Sequence, residues 1–154
     1  MIQLSEIINT NRIKSDVDVQ SKKRALEALS DLVTQDQPQL NSGDIFDSLL
    51  SRERLGATGV GHGIAIPHGR INSCQKITGA FIQLKNGIDF NTSDNQAVDI
   101  LFALIVPEES TDEHLQVLAL LASMFSDENF REQLRQSKNE DEIYQLLTQW
   151  NKPD

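Results

Sequence analysis

Apolar residues recur at helical spacing in two segments of the first third of the chain. The first stripe follows Ser21, a residue type that caps helix N-termini, and it predicts an amphipathic helix that ends near Gln35. A second helix is predicted between Ser42 and Gly56, because a glycine commonly stands just beyond a helix C-terminus. The apolar positions of the two helices are Ala25, Leu26, Ala28, Leu29, Leu32 and Val33, and then Ile45, Phe46, Leu49 and Leu50.

Two segments in the middle of the chain have the residue types of β-strands. Residues 77–84 are rich in apolar and β-branched side chains, and Asn86 and Gly87 favour a turn after them. Residues 98–106 are nearly all apolar, which is typical of a strand covered on both faces, and Pro107 is expected to end it. The second strand is therefore predicted to lie at the centre of a sheet.

Helical patterns return in the last third of the chain. Ser110 and Thr111 offer an N-cap for a first helix, Ser126 for a second, and a capping box from Ser137 to Glu140 opens a third. Their inward residues are predicted to be Leu115, Leu118, Leu121, Ala122 and Phe125, then Phe130 and Leu134, and then Ile143, Leu146, Leu147 and Trp150. Because helices and strands alternate along the chain, we predict an α/β fold with a mostly covered sheet.

Length and composition favour one cytoplasmic domain. The 154 residues suit a single domain over 1–154, with a core of about 3–150. The one cysteine, Cys74, cannot form an internal disulfide, which is typical of a reducing compartment. The apolar run at 100–106 is far shorter than the ~20 residues that span a bilayer, and the N-terminus lacks a signal-peptide pattern. We therefore expect no membrane insertion.

The chain is acidic. It has 14 lysines and arginines against 23 aspartates and glutamates, a net charge of −9, which repels phosphate backbones at long range. Direct binding of nucleic acid is therefore not expected. A small anion site can still form locally, because a few oriented amides and one arginine act over shorter distances than the summed charge.

Two of the three histidines are placed where a reactive ring is expected. His68 stands between Pro67, which restricts the backbone, and Gly69, which permits any angle, so its ring should be presented at the end of a short apolar strand. His114 falls in the first turn of its helix, where free amides favour a nearby anion. A neutral imidazole near pH 7 can act as a nucleophile or carry a proton.

Other site types fit the sequence less well. The glycine-rich residues 56–63 lack the lysine and hydroxyl residue of a P-loop and precede a strand, so ATP binding is rejected. His62, His68 and His114 could together hold zinc, but their spacing matches no short zinc signature, and no metal is expected. Cys74 lies in a polar segment and no serine lies in a nucleophile elbow, which argues against a hydrolase. The basic triplet 22–24 indicates a solvated helix face.

Several motifs resemble one family. Residues 52–59 (RERLGATG) and 63–69 (GIAIPHG) resemble the phosphorylation site of EIIA domains of the bacterial phosphoenolpyruvate phosphotransferase system, in the fructose and mannitol superfamily. Further agreement extends over SKKRALE at 21–27, DNQAVD at 94–99, LFALIVP at 101–107 and HL at 114–115. The resemblance covers nearly the whole chain, up to about Trp150, and is strongest towards the nitrogen-regulatory branch of the family.

The resemblance implies a mixed sheet flanked by helices on both faces, and a site. A phosphocarrier of the HPr type passes a phosphoryl group to the tele nitrogen of the histidine that matches His68. Arg52 matches the arginine beside the phosphoryl group and His114 the second active-site histidine, while Thr58 and loop amides are plausible further donors. No cofactor is implied. His62 stands where relatives need no histidine, and we interpret it as loop surface.

Three functions remain open. The chain has no room for EIIB or EIIC segments, so we expect a regulator whose phosphorylation state controls partner proteins. Potassium transport systems and sensor kinases are the partner classes known for the nitrogen-regulatory branch. The alternative is a sugar-specific EIIA that hands its phosphoryl group to a separate EIIB. A third possibility is a binding module whose His68 is never phosphorylated.

Overall fold

A mixed sheet forms the centre of the fold in the computed structural model, which describes residues 3–109 and 112–151. Within those residues the sheet has six strands, and five α-helices flank it. The strands are β1 Ile13–Val17, β2 Gly59–Gly61, β3 Ile64–Ala65, β4 His68–Ile71, β5 Thr78–Ile88 and β6 Val98–Pro107. The helices are α1 Lys22–Asp36, α2 Ser42–Leu55, α3 Asp112–Phe125, α4 Glu128–Gln136 and α5 Glu140–Gln149.

The apolar strand β6 organises the sheet, as its sequence predicts. The strand order is β1-β5-β6-β3-β2, and β4 also pairs with β6. β6 runs antiparallel to β5 and parallel to β3 and β4, while β1 runs parallel to β5. The side chains from Ile100 to Val106 are fully buried, because helices cover both faces of this strand.

Two apolar clusters lie on opposite faces of the sheet. Helices α1 and α2 cover one face, and α3, α4 and α5 cover the other. The first cluster includes Leu26, Leu29, Ile45 and Leu49; the second includes Val117, Leu121, Phe130, Leu134, Ile143 and Leu147. The predicted inward positions of Leu115 and Ala122 are wrong, since both are exposed and Val117 and Met124 lie on the buried side of α3 instead. The predicted α/β class is therefore confirmed. The mixed sheet with helices on both faces, which the family resemblance implies, is confirmed as well. Over the described ranges, none of the helices has the length and apolar character needed to cross a membrane.

The predicted helix starts are partly confirmed. Ser21 caps α1, where its hydroxyl accepts a hydrogen bond from the Arg24 amide at 3.2 Å. The predicted caps at Ser126 and Ser137 are wrong, since the side chains of Asp127 and Asn139 cap α4 and α5. Both serine hydroxyls instead donate to the carbonyl three residues earlier and so close the preceding helix. Ser110 and Thr111 lie outside the described residues.

Both predicted strands are longer than their sequence patterns indicate. β5 continues through Asn86 and Gly87, because the register against β6 shifts between Gln83 and Ile88 and a bulge absorbs the turn-like pair. β6 includes Pro107, which pairs with β4 at the end of the ladder. The short β1 was not predicted from the pattern. Its alternating burial fits a strand at the edge of the sheet.

Candidate functional site

His68 is the first residue of β4, which follows β3 after a short break in the strand. β3 and β4 pair with β6 in one parallel register, and His68 lies opposite Leu104. Pro67 stands in the gap because it has no N–H to donate, while its carbonyl accepts from the Leu104 amide at 2.9 Å. Alternate strand residues share a face, so Ile66 and His68 both point towards the side of the sheet covered by α3.

Close packing on the opposite face fixes the same strand against α2. A side chain at Gly69 would place its Cβ 2.4 Å from the Ser48 hydroxyl oxygen of α2. The Ser48 hydroxyl donates to the Arg70 carbonyl at 3.0 Å. The strand that carries His68 is therefore held between β6 and α2, which makes the backbone under the ring rigid.

One hydrogen bond orients the His68 ring. Its Nδ1 lies 3.0 Å from the Ile66 carbonyl oxygen. A carbonyl can only accept, so Nδ1 carries the hydrogen and Nε2 of the neutral ring keeps a free lone pair. Burial lowers the pKa of His68; the Ile66 carbonyl opposes this effect, the Arg52 charge reinforces it, and Glu53 opposes it. The net effect is a pKa below the usual value of about 6.5, which favours an uncharged nucleophilic nitrogen.

His114 lies against His68. It is the third residue of α3, in the predicted first turn, and the two ring centroids are 5.5 Å apart with planes at 62°. The His114 side chain is buried, and within the part of the chain that the structure describes its Nε2 has no hydrogen-bond partner. Burial lowers the pKa of His114, and the charges of His68 and Arg70 lower it further. An unpaired buried polar atom beside His68 is suited to meet an oxygen of a ligand.

Arg52 brings a positive charge to the same place. It lies in the last turn of α2, half-buried, and its Nη1 donates to the Gly56 carbonyl at 2.8 Å. A guanidinium has five N–H donors in a fixed fork, which suits recognition of two oxygens of one anion. The positive charge of Arg52 also lowers the pKa of His68.

The Thr58 side chain bonds to Glu53 in the structure. Its hydroxyl donates to Glu53 Oε1, and its amide lies 3.3 and 3.2 Å from the two carboxylate oxygens. A hydroxyl has one hydrogen, so this contact must break before Thr58 can donate to an anion. Its function as a direct donor stays a prediction.

Two charged residues near the site, Glu53 and Arg70, were not predicted as site residues. Glu53 is paired with Lys22, whose Nζ lies 2.9 Å from Oε2 and 4.6 Å from the centroid of the Phe90 ring. The expectation of a solvated face is thus wrong for Lys22, because Glu53 and the Phe90 ring enclose its ammonium. Arg70, two residues after His68 in β4, donates to the Glu108 carbonyl at 2.8 Å.

The remaining candidates lie away from this arrangement. His62 is exposed in the turn between β2 and β3, and its carbonyl accepts from Arg135 Nη2 at 2.6 Å. Across residues 3–109 and 112–151, no three histidine, cysteine or acidic side chains converge as a metal site would need. Cys74 is buried, and burial raises the pKa of its thiol, which disfavours the nucleophilic thiolate.

Comparisons with known proteins find one matching family model and several similar relatives. The family model for the phosphoenolpyruvate-dependent sugar phosphotransferase system, EIIA 2, matches residues 6–150. The nitrogen regulatory protein of Escherichia coli K12 is 43% identical over 148 residues, covering 96% of this chain and 90% of that protein. A fructose-specific EIIA component of Haloferax volcanii is 35% identical over 130 residues, 84% of each chain. The crystal structure of nitrogen regulatory protein IIA-Ntr from Neisseria meningitidis superimposes with a TM-score of 0.89 at 40% identity, covering 94% of this chain and 99% of that one.

Proposed function

The chain belongs to the EIIA 2 family of the phosphotransferase system, and we propose that it is a phosphoryl-accepting regulator of the nitrogen branch. The similarity to nitrogen regulatory proteins supports the assignment to the nitrogen branch. One observation carries the chemistry: the bond from His68 Nδ1 to the Ile66 carbonyl leaves Nε2 free, on a ring whose centroid lies 5.5 Å from that of His114, whose own Nε2 is unpaired among the described residues.

In the proposed reaction His68 attacks a phosphohistidine of an HPr-like phosphocarrier. A P–N bond forms at His68 Nε2 while the P–N bond on the carrier breaks, and the carrier imidazole keeps the electron pair. Nδ1 retains its hydrogen and its contact with the Ile66 carbonyl throughout. Because the transition state is loose and its charge lies on the phosphoryl oxygens, alignment and donors around those oxygens supply most of the catalysis.

Arg52 and His114 are the proposed donors to those oxygens. A phosphoryl group brings about two negative charges, which a nearby guanidinium stabilises. The buried Nε2 of His114 gains a partner when an oxygen approaches, provided that it carries the hydrogen. No metal or cofactor is required for this step.

Exposed apolar side chains on the elements of the site suit contact with the carrier. Leu55 follows Arg52 at the end of α2, Val60 lies in β2 and Leu115 follows His114 in α3. Their exposed fractions are 85%, 45% and 64%. A phosphocarrier must approach His68 closely, so these side chains are proposed to pack against it.

The protonation of His68 gives one test of this mechanism. We expect an NMR titration of its ring C–H signal to give a midpoint below about 6.5, since burial and Arg52 disfavour the charged ring. The rate of phosphoryl acceptance should therefore decline as pH falls through that midpoint, because protonation removes the neutral nucleophilic ring. Arg52→Gln should raise the midpoint because it removes a positive charge. A midpoint above 6.5, or no change in Arg52→Gln, would contradict the electrostatics proposed for the site.

Phosphorylation is proposed to act as a binding switch for regulated proteins, such as potassium transport components or sensor kinases. A partner that packs over the uncharged ring must desolvate the new charge or pair it. We expect its affinity to fall by about five- to a hundredfold, or about 1 to 3 kcal/mol. Pull-downs with His68→Ala and with fully phosphorylated protein should therefore recover different partners. Identical partner sets would argue against regulation.

The similarity to a fructose-specific EIIA component supports an alternative, in which this chain passes its phosphoryl group to a sugar-specific EIIB. Incubation with phosphoenolpyruvate, enzyme I and the phosphocarrier should add one phosphoryl group that is lost in acid. The product is then mixed with a sugar-specific EIIB. Retention on this chain supports the regulator, whereas quantitative transfer to the EIIB supports the alternative. Failure to gain the group would leave the binding module as the remaining interpretation.

A further inference from the structure

A buried charge lies next to the proposed acceptor. The Glu53 side chain is 2% exposed, although it is in the last turn of α2 and follows the half-buried Arg52. Three donors converge on its carboxylate: the amide and the hydroxyl of Thr58, and the ammonium of Lys22. Burying a carboxylate is costly unless donors satisfy it, and removing one partner from such a pair is strongly destabilising. The cost of burying the Glu53 carboxylate indicates that this charge has a function.

A continuous series of hydrogen bonds connects Glu53 to the His68 ring. Glu53 holds Thr58 through both its amide and its hydroxyl. The Thr58 carbonyl accepts from the Ile66 amide at 3.0 Å, and the Ile66 carbonyl accepts from His68 Nδ1 at 3.0 Å. The carboxylate therefore fixes the segment whose carbonyl decides which nitrogen of the ring carries the hydrogen.

We propose that Glu53, anchored by Lys22, is a positioning residue that sets the tautomer and orientation of His68 through Thr58 and Ile66. The inference rests on the proposed phosphoryl transfer, in which Nε2 must be the unprotonated nitrogen. Lys22 comes from the first turn of α1, so the series also ties a third element to the site. A shift of the Ile66 carbonyl would release Nδ1 and let the ring rotate or exchange its hydrogen.

The carboxylate is suited to this position where an amide is not. Each contact of Glu53 described above is with a donor, and a carboxylate has only acceptors. A glutamine would turn its NH₂ group towards either Thr58 or Lys22, and would leave the Lys22 ammonium without a countercharge. The negative charge of Glu53 also opposes the effect of Arg52 on the pKa of His68. Its removal should therefore lower that pKa.

The test uses Glu53→Gln and two further variants, in case one does not fold. Lys22→Met removes the anchoring charge, and Thr58→Val removes the hydroxyl while keeping a similar shape. Matched controls are Lys23→Met, at the next, exposed residue of α1, and Glu27→Gln, from an exposed ion pair with Arg24. Thr58→Ser retains the hydroxyl and should retain the function.

The first readout is independent of phosphoryl transfer. The ring nitrogen chemical shifts of His68 report the fraction of the tautomer with hydrogen on Nδ1. We expect this fraction to be high in the wild type, the two controls and Thr58→Ser, and to fall in Glu53→Gln, Lys22→Met and Thr58→Val. A simple loss of stability would not change the tautomer of a folded population. Unchanged shifts in the three test variants would overturn the proposal, even if wild-type His68 proves not to accept phosphoryl groups.

The second readout is the single-turnover rate from the phosphorylated carrier. Misplacement of a reacting atom by about 1 Å costs up to about a hundredfold, so we expect the folded test variants to lose about 10- to 100-fold. Controls should stay within about twofold. Rates equal to wild type in folded Glu53→Gln and Lys22→Met would refute the positioning function. If the wild-type protein does not accept a phosphoryl group, the proposed function is wrong. The tautomer measurement alone then tests whether Glu53 positions the His68 ring.

Discussion

His68→Ala is expected to abolish phosphoryl acceptance while leaving the fold intact. Its Nε2 is the proposed nucleophile. The His68 ring is half-buried and makes one hydrogen bond to the Ile66 carbonyl, so its loss should lower the free energy of unfolding by only about 1 kcal/mol. Intact-protein mass spectrometry after incubation with the phosphorylated carrier measures the acceptance, and thermal unfolding checks the fold.

His62→Ala is the matched control for this variant. Both residues are histidines in the glycine-rich part of the chain, but His62 is exposed in the turn between β2 and β3. Its contact with Arg135 uses the backbone carbonyl, which the substitution keeps. We expect acceptance equal to that of the wild type. A phosphoryl group on folded His68→Ala, or its loss in His62→Ala, would place the acceptor elsewhere.

The sequence predicts those features that depend on local patterns. The central position of β6 follows from its unbroken apolar character, and the ends of α1 and α2 follow from Ser21 and Gly56. Pro67 before His68 marks the gap between β3 and β4, although His68 begins β4 and does not stand at the end of a strand as expected. Each of these signals lies within a few residues of the feature that it predicts.

Contacts between distant segments could not be predicted in the same way. Glu53 and Lys22 are 31 positions apart, and neither is unusual as a residue type. A signal was nevertheless present, because Glu53 continues the apolar stripe of Ile45 and Leu49, and Lys22 precedes Leu26 on the buried stripe of α1. A charge on the apolar side of a helix indicates a partner across the interface.

The hydrogen-bond state of the candidate site depends on three-dimensional geometry. The tautomer of His68 follows from the position of the Ile66 carbonyl, which lies in the gap between β3 and β4. Thr58 was predicted as a donor from its place in the motif, whereas the fold turns its hydroxyl towards Glu53. The cap positions show the same limit, since Ser126 is a good cap by type but its hydroxyl bonds backwards to Ser123.

Arg52→Lys is expected to slow phosphoryl transfer by about 10- to 100-fold, or about 1.5 to 3 kcal/mol. Lysine keeps the charge but loses the planar fork that can hold two phosphoryl oxygens while Nη1 still bonds the Gly56 carbonyl. The matched control is Arg54→Lys, two residues further along the same helix, where the side chain is exposed. That control should transfer at the wild-type rate. Single-turnover kinetics with the phosphorylated carrier measure all three proteins.

His114→Ala should reduce the rate by a similar factor, because it removes the unpaired Nε2 beside His68. If Arg52 and His114 hold the same phosphoryl group, their substitutions should not act independently. The double variant should therefore be faster than the product of the two single losses predicts. Wild-type rates in both folded single variants would show that the two side chains do not converge on the transferred group. A strictly multiplicative loss would show that they contribute independently and are not coupled through the transferred group.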